Sequence, residues 1–262
     1  MNIPVVQTLT AIIQGVAEIG NLILDTDERV MGKLIKMAQC DDEQAKCAAA
    51  EALAHAATSK ERSKVLMESG FRVLKMLYSK ELPDAIRVRA LCGLCKLGSQ
   101  GGGFANKKTL ADGAVVNLAK KIRPFLVDER KDLDCAKWAS EGLAYLSLDA
   151  DVKEMVVGDK KILKVIKKLC LDGDPTVQFG LANLLVNVTN TFDIPETSEE
   201  KETLKKIGKF AGEYIPEPHK LDAEEYSNLS TSFWNQLHVS LSSTPPPHTP
   251  REFTHTVFML VC

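Results

Sequence analysis

Four strings in this chain repeat one another: CAAAEALAHA, VRALCGLCKL, KWASEGLAYL and GLANLLVNV. Each reads as the packed end of a helix, and aligning them places leucines 53, 94, 143 and 185 in register. The intervals are 41, 49 and 42 residues, and the long one holds the evident loop insertion SQGGGFANKK. A period near 41 falls in the range of armadillo and HEAT repeats, about 40–47 residues. A repeat of this kind cannot bury its own apolar face, so successive units must stack into one continuous core.

The order of elements within a period recurs as well. SKERSKVLMESG predicts a short first helix closed by Gly70, a favourable C-cap because glycine tolerates positive φ. FRVLKMLYSK follows as a second helix with Val73, Leu74 and Leu77 on one face, and Pro83-Asp84 opens a third, with Val88, Leu91, Leu94 and Leu97 in a stripe. The next unit runs NKKTLADG, AVVNLAKKIRPFLV, CAKWASEGLAYL, with Gly113 in the place of Gly70. The one after runs VKEMVVGD, KKILKVIKKLC, PTVQFGLANLLVNV. Three helices per unit, the third rich in Ala and Gly, predict an all-α, armadillo-repeat α-solenoid, a right-handed superhelix. The start IPVVQTLTAIIQGV reads as the last helix of a truncated unit, with Val6, Leu9, Ile12, Ile13 and Val16 partly unpartnered.

Proline marks the limits of the repeats. Only Pro83, Pro124 and Pro175 lie between Val5 and Ile194, whereas seven follow from Pro195. KETLKKIGKFAGEYI offers Leu204, Ile207 and Phe210 as a closing stripe. From Ser227 onward 15 of 36 residues are Ser, Thr or Pro, and the triple proline 245–247 excludes helix. The expected division is a repeat domain over 1–215, a linker over 216–226 and a disordered tail over 227–262.

Motifs that would carry chemistry all have a plainer structural reading. Cys92 and Cys95 form a CxxC, but it falls in the middle of a helix, and no second ligand pair follows at zinc spacing. Buried thiols acting as small hydrophobes are expected. Gly101, Gly102 and Gly103 ahead of Lys107, Lys108 and Thr109 lack the glycine directly before the Lys-Thr that a phosphate loop needs. Lys160, Lys161, Lys164, Lys167 and Lys168 interleave with apolar residues at helical spacing, a solvated face before it is an acidic-partner patch. Asn187-Val188-Thr189 matches a glycosylation acceptor but sits in a packed helix. No Ser/His/Asp or Cys/His set shares a pocket. The expectation is a protein-binding chain with no catalytic, cofactor-binding or metal-ligating residues, not an enzyme, and without a cofactor.

A net charge of −2 carries no clustered basic footprint for nucleic acid. No stretch approaches the roughly 18 apolar residues of a membrane span. No basic leader opens the chain, and seven cysteines at low density suit a reducing cytoplasm. Neither nucleic acid nor membrane is an expected partner.

LCGLCKLGSQGG, KWASEGLAYLSLDADVKE, LLVNVTNTFD and GKFAGEYIPEPHK together resemble the central region of the UCS-domain myosin chaperones. The likeness covers most of residues 5–222. It implies a cytoplasmic protein-binding scaffold serving muscle myosin folding and thick-filament assembly. The partners it implies, for the full-length family, are the myosin motor and heat-shock protein 90. No tetratricopeptide signature precedes Asn2 and the likeness fades after Tyr226, so the family's two terminal binding domains are not expected in this chain, nor is any functional residue carried over. The rival within the fold is an import-receptor or catenin-type adaptor. Import receptors resemble one another in a Trp/Asn ladder on the third helices. Here the Asn positions hold His55, Lys96, Tyr145 and Asn187, and the Trp positions hold Glu51, Cys92, Glu141 and Asn183.

Overall fold

A computed structural model describes residues 2–58 except 16 and 27, residue 66, residues 70–99, and residues 114–189 except 173 and 174. Eleven helices and no strand occur among them. These are α1 (Ile3–Gly15), α2 (Ala17–Thr26), α3 (Glu28–Ala38), α4 (Glu43–Ala56), α5 (Phe71–Leu77) and α6 (Asp84–Ser99), followed by α7 (Ala114–Val127), α8 (Leu133–Leu146), α9 (Ala150–Gly158), α10 (Lys160–Asp172) and α11 (Pro175–Thr189). The insertion with its glycine run, Lys107–Thr109, the first-helix segment NKKTLADG with Gly113, most of SKERSKVLMESG, Val16, the closing stripe, the linker and the tail lie outside the described residues.

Aspartates start several helices by satisfying amides that have no partner in the first turn. Asp42 accepts from the Gln44 and Ala45 amides at 2.9 and 3.4 Å, and Asp132 from Cys135 at 2.8 Å. Asp149 accepts from Val152 at 3.3 Å, and Asp159 from Lys161 and Ile162 at 3.0 and 3.2 Å. Pro83 precedes α6, and its carbonyl accepts from the Ile86 and Arg87 amides.

Third helices form the spine: α1 packs on α4, α4 on α6, α6 on α8 and α8 on α11. Second helices flank them, α5 against α6, α7 against α8, and α10 against α11. Val73, Leu74 and Leu77 are buried on α5 as expected. The predicted stripe on α6 is wider than a stripe: Ile86, Val88 and every residue from Ala90 to Gly98 are buried, because α4, α5, α7 and α8 enclose the helix.

Two expectations need correction. Gly70 is not a left-handed cap: its φ of −89° and ψ of −26° are right-handed helical, and it leads into α5. Space there is tight: a Cβ would lie 2.6 Å from Leu66 Cδ2, so the buried Leu66 side chain would have to shift. Nor are the apolar residues of α1 unpartnered. Val6, Leu9 and Ile13 are buried, because α4 and α2 close over them. Ile12 is half-buried.

Close approach of backbones holds the stack together, and Gly142 on α8 shows how little room is left. A Cβ there would lie 2.3 Å from Ile122 Cδ1 and 3.5 Å from Cys92 Cα. Gly142→Val should therefore destabilise the fold by about 1–3 kcal/mol through overpacking, read as a lower urea midpoint.

Candidate protein-binding surface

The stacked third helices present a continuous run of side chains, and their polar members pair across repeats. Arg89 on α6 reaches both neighbours: its Nε donates to Glu51 on α4 at 3.0 Å, and Nη1 and Nη2 donate to Asp134 on α8 at 2.7 and 3.2 Å. Its guanidinium lies 5.1 Å from the centroid of the Trp138 ring. Two turns along the same helix, Lys96 repeats the device. Nζ contacts Glu141 on α8 at 2.7 Å and donates to Thr58, just past α4, at 3.2 Å. It also lies 5.2 Å from the Tyr145 ring centroid. One helix thus ties the units before and after it with two cations.

Aromatic and imidazole groups fill the space between. Trp138 is wholly buried, with its ring 5.1 Å from that of His55 and Lys137 on another side at 5.5 Å. Its indole N–H has no hydrogen-bond partner among the described residues. His55 contacts Gln14 on α1. At the far end Asn187 on α11 donates to the Ala144 carbonyl of α8 at 2.7 Å.

Burial and charge shift the titrations of these groups. His55 is brought from 6.5 to about 4, first by desolvation and then by the charge of Lys96. Burial alone would lift the Glu141 carboxyl, but the charge and hydrogen bond of Lys96, helped by His55 and Lys137, bring it below the ordinary range. Burial alone would lower Lys96, and it is outweighed by Cys92, Glu141 and Tyr145. The pair is therefore ionised at neutral pH although Lys96 is fully enclosed.

The CxxC lies in the middle of α6 with both thiols fully buried, and desolvation pushes each well above its ordinary value. Those thiols are core, not a reactive pair. The lysine run of α10 is amphipathic as expected, with Ile162, Leu163, Ile166 and Leu169 buried beneath it. Asn187 is engaged with α8 and Thr189 is buried, which accords with a packed helix over the glycosylation match. Among the described residues no group of His, Cys, Asp and Glu could hold a metal ion. No helix among them is long and apolar enough to cross a membrane.

The family described as "UNC45-central: Myosin-binding striated muscle assembly central" matches residues 2–122. Protein unc-45 homolog B of Xenopus laevis is 37% identical over 225 residues, which cover 86% of this chain and 24% of the relative. The solved structure of UNC-45 from Drosophila melanogaster superposes with a TM-score of 0.73 at 35% identity, over 99% of this chain and 33% of that one. The chain belongs to the UNC-45 family. It spans about a quarter of the length of the curated relatives it matches, 24% in the Xenopus case. The myosin chaperone UNC-45 from C. elegans, solved in complex with an Hsp90 peptide, is also similar, with a TM-score of 0.63 and 27% identity over 97% of this chain. The likeness noted between the repeat strings and the myosin chaperones is thus a family relationship, and the three-helix solenoid is a fold shared with the UNC-45 structures.

Sequence reading aligned Glu51, His55, Lys96, Glu141, Tyr145 and Asn187 only to ask whether they matched another ladder. The structure shows that they are an internal network. Arg89 and Trp138, its two centres, were not singled out; their signal was a charged and an aromatic residue set inside otherwise small, apolar helices.

Two outcomes follow. Lys96→Met leaves the Glu141 carboxylate enclosed without its cation and should cost about 3 kcal/mol, whereas Lys96→Met with Glu141→Leu should recover most of that loss, as read by urea denaturation. His55 gives a pH signature. Between 6.5 and 4 the unfolded imidazole takes up a proton that the folded one resists. Stability fully present above 6.5 is therefore lost as pH falls toward 4, by up to about 3 kcal/mol. His55→Gln should flatten that slope between neutral pH and pH 4.

Proposed function

We propose that this chain is a protein-binding scaffold that acts as the central segment of a myosin-folding co-chaperone, in the cytoplasm, and that it is not an enzyme. The observation that carries the reading is the UNC-45 relationship along 86% of the chain, on a solenoid whose third helices form one unbroken series. A solenoid of this kind offers a long, rigid surface made of side chains from successive repeats, which suits an extended or large protein client. The myosin motor is the proposed client and heat-shock protein 90 the proposed co-worker, in support of muscle myosin folding and thick-filament assembly. The proposed domain is a single armadillo body over 1–215. A titratable group poised for acid–base work would need an accessible pocket, whereas Lys96 and Glu141, shifted together, are committed to each other.

An armadillo adaptor of the import-receptor or catenin type is the second reading. It is disfavoured because Lys96, Glu141 and Asn187 stand where such a ladder would meet its peptide, and all three are engaged in internal contacts.

Purified chain mixed with myosin motor domain provides the test. The expected outcome is co-sedimentation with the motor and suppression of its heat-induced aggregation at near-equimolar ratio. No effect on the motor, together with capture of a lysine-rich localisation peptide, would favour the adaptor reading instead.

A further inference from the structure

The central cations of the third helices are paired, whereas a set of exposed lysines on two second helices stands outside every ion pair among the described residues. On α7 the exposed residues are Asn117, Lys120, Lys121 and Pro124; on α10 they are Lys160, Lys161, Lys164, Lys168 and Leu171. The only exposed charges among the described side chains of these helices are thus six lysines, and none of the six is in an ion pair among the described residues. The two helices pack against each other. Between α7 and the α9–α10 junction lies an open hollow of about 510 Å³, lined by Arg123, Glu154 and Asp159 together with Lys160 and Lys161. Arg123 is held there by Asp159, with Nη2 donating to Oδ1 at 3.0 Å.

We propose that the α7–α10 face is a docking surface for an extended acidic peptide segment of a partner protein. Six ammonium groups on two rigid helices repel one another, in a chain whose net charge is −2. A polyanion relieves that repulsion and is steered toward the face. The spacing suits a peptide. Packed helices lie about 8–10 Å apart, and a peptide in the polyproline-II conformation advances about 3.1 Å per residue with every third side chain on one face. Carboxylates three residues apart therefore meet lysines of α7 and α10 in turn, with the hollow accommodating the chain between them.

Other polyanions fit less well. No aromatic ring is exposed on either helix to stack a base, and the one guanidinium on this face, Arg123, is already committed to Asp159. A bilayer surface is uniformly anionic, whereas Glu154 stands exposed at the edge of this site and would face it. Leu171, 65% exposed, is the single large hydrophobe on the two helices that could enter the interface.

Fluorescence anisotropy on the full chain provides the test, with a labelled peptide carrying glutamate at every third position in a glycine–serine background. Binding at low salt should weaken about tenfold in Lys121→Glu/Lys161→Glu/Lys164→Glu. It should change less than about twofold in Lys33→Glu/Lys36→Glu/Lys75→Glu, which alters net charge equally on α3 and α5. Replacing the first three lysines by glutamine should weaken binding in the same direction but less, with circular dichroism unchanged throughout. Absence of binding by the parent chain, or equal losses in both triple variants, would overturn the proposal. So would tighter binding of phosphatidylserine vesicles or of a single-stranded oligonucleotide than of the peptide.

Discussion

Third helices of successive repeats approach so closely that a methyl group finds little room between them. A Cβ on Gly93 of α6 would lie 3.3 Å from Ala54 Cα on α4, and one on Gly180 of α11 would lie 2.6 Å from Ser140 Oγ and 3.1 Å from the Glu141 backbone nitrogen on α8. Alanines do the same work elsewhere: Ala49, Ala50, Ala52, Ala54, Ala56 and Ala57 are all buried on or beside α4. Small residues bring the backbones together, and the larger side chains of the flanking second helices then fill the grooves. Since α6 is enclosed by neighbours on every side, no repeat owns its core, and cohesion depends on adjacent units being in place.

Close approach also determines what the charges can do. With α4, α6 and α8 in contact, Arg89 and Lys96 each reach across two repeats, and their carboxylate partners come from other helices. A buried ion pair contributes little net stability against an apolar substitute, but it strongly penalises any arrangement that separates the partners. The network is best understood as a register device. Sliding one third helix by a turn would leave Lys96 enclosed without Glu141. On α7 and α10, by contrast, Lys120, Lys121, Lys160, Lys161, Lys164 and Lys168 are exposed and outside every ion pair among the described residues, while Arg123 is held by Asp159.

The chain matches about a quarter of the length of its UNC-45 relatives. Within that quarter the polar residues of the third helices are largely committed to one another, unlike a ladder kept free for a peptide. This directs attention away from the inner edge and toward the outer surfaces of the solenoid.

Much of this was legible in the sequence. The 41-residue period, the three-helix unit, the buried thiols of the CxxC and the amphipathic α10 are properties of local patterning. Helical periodicity and turn residues act over a few positions, so a single string reveals them. Other features appeared only with the fold. Gly70 looked like a left-handed cap because glycine commonly ends helices, yet its backbone is right-handed helical and it leads into α5. Val6, Leu9 and Ile13 looked bare because their cover is supplied by α4, some 40 residues on. Lys96 stood only at a ladder position, and its contacts are with Glu141 and Thr58, which lie 45 residues ahead and 38 behind. Local sequence determined which segments are helices and which face of each is apolar. Tertiary structure decided which charges are paired, because pairing depends on helices one whole repeat away, a distance over which sequence periodicity carries no information about individual side chains.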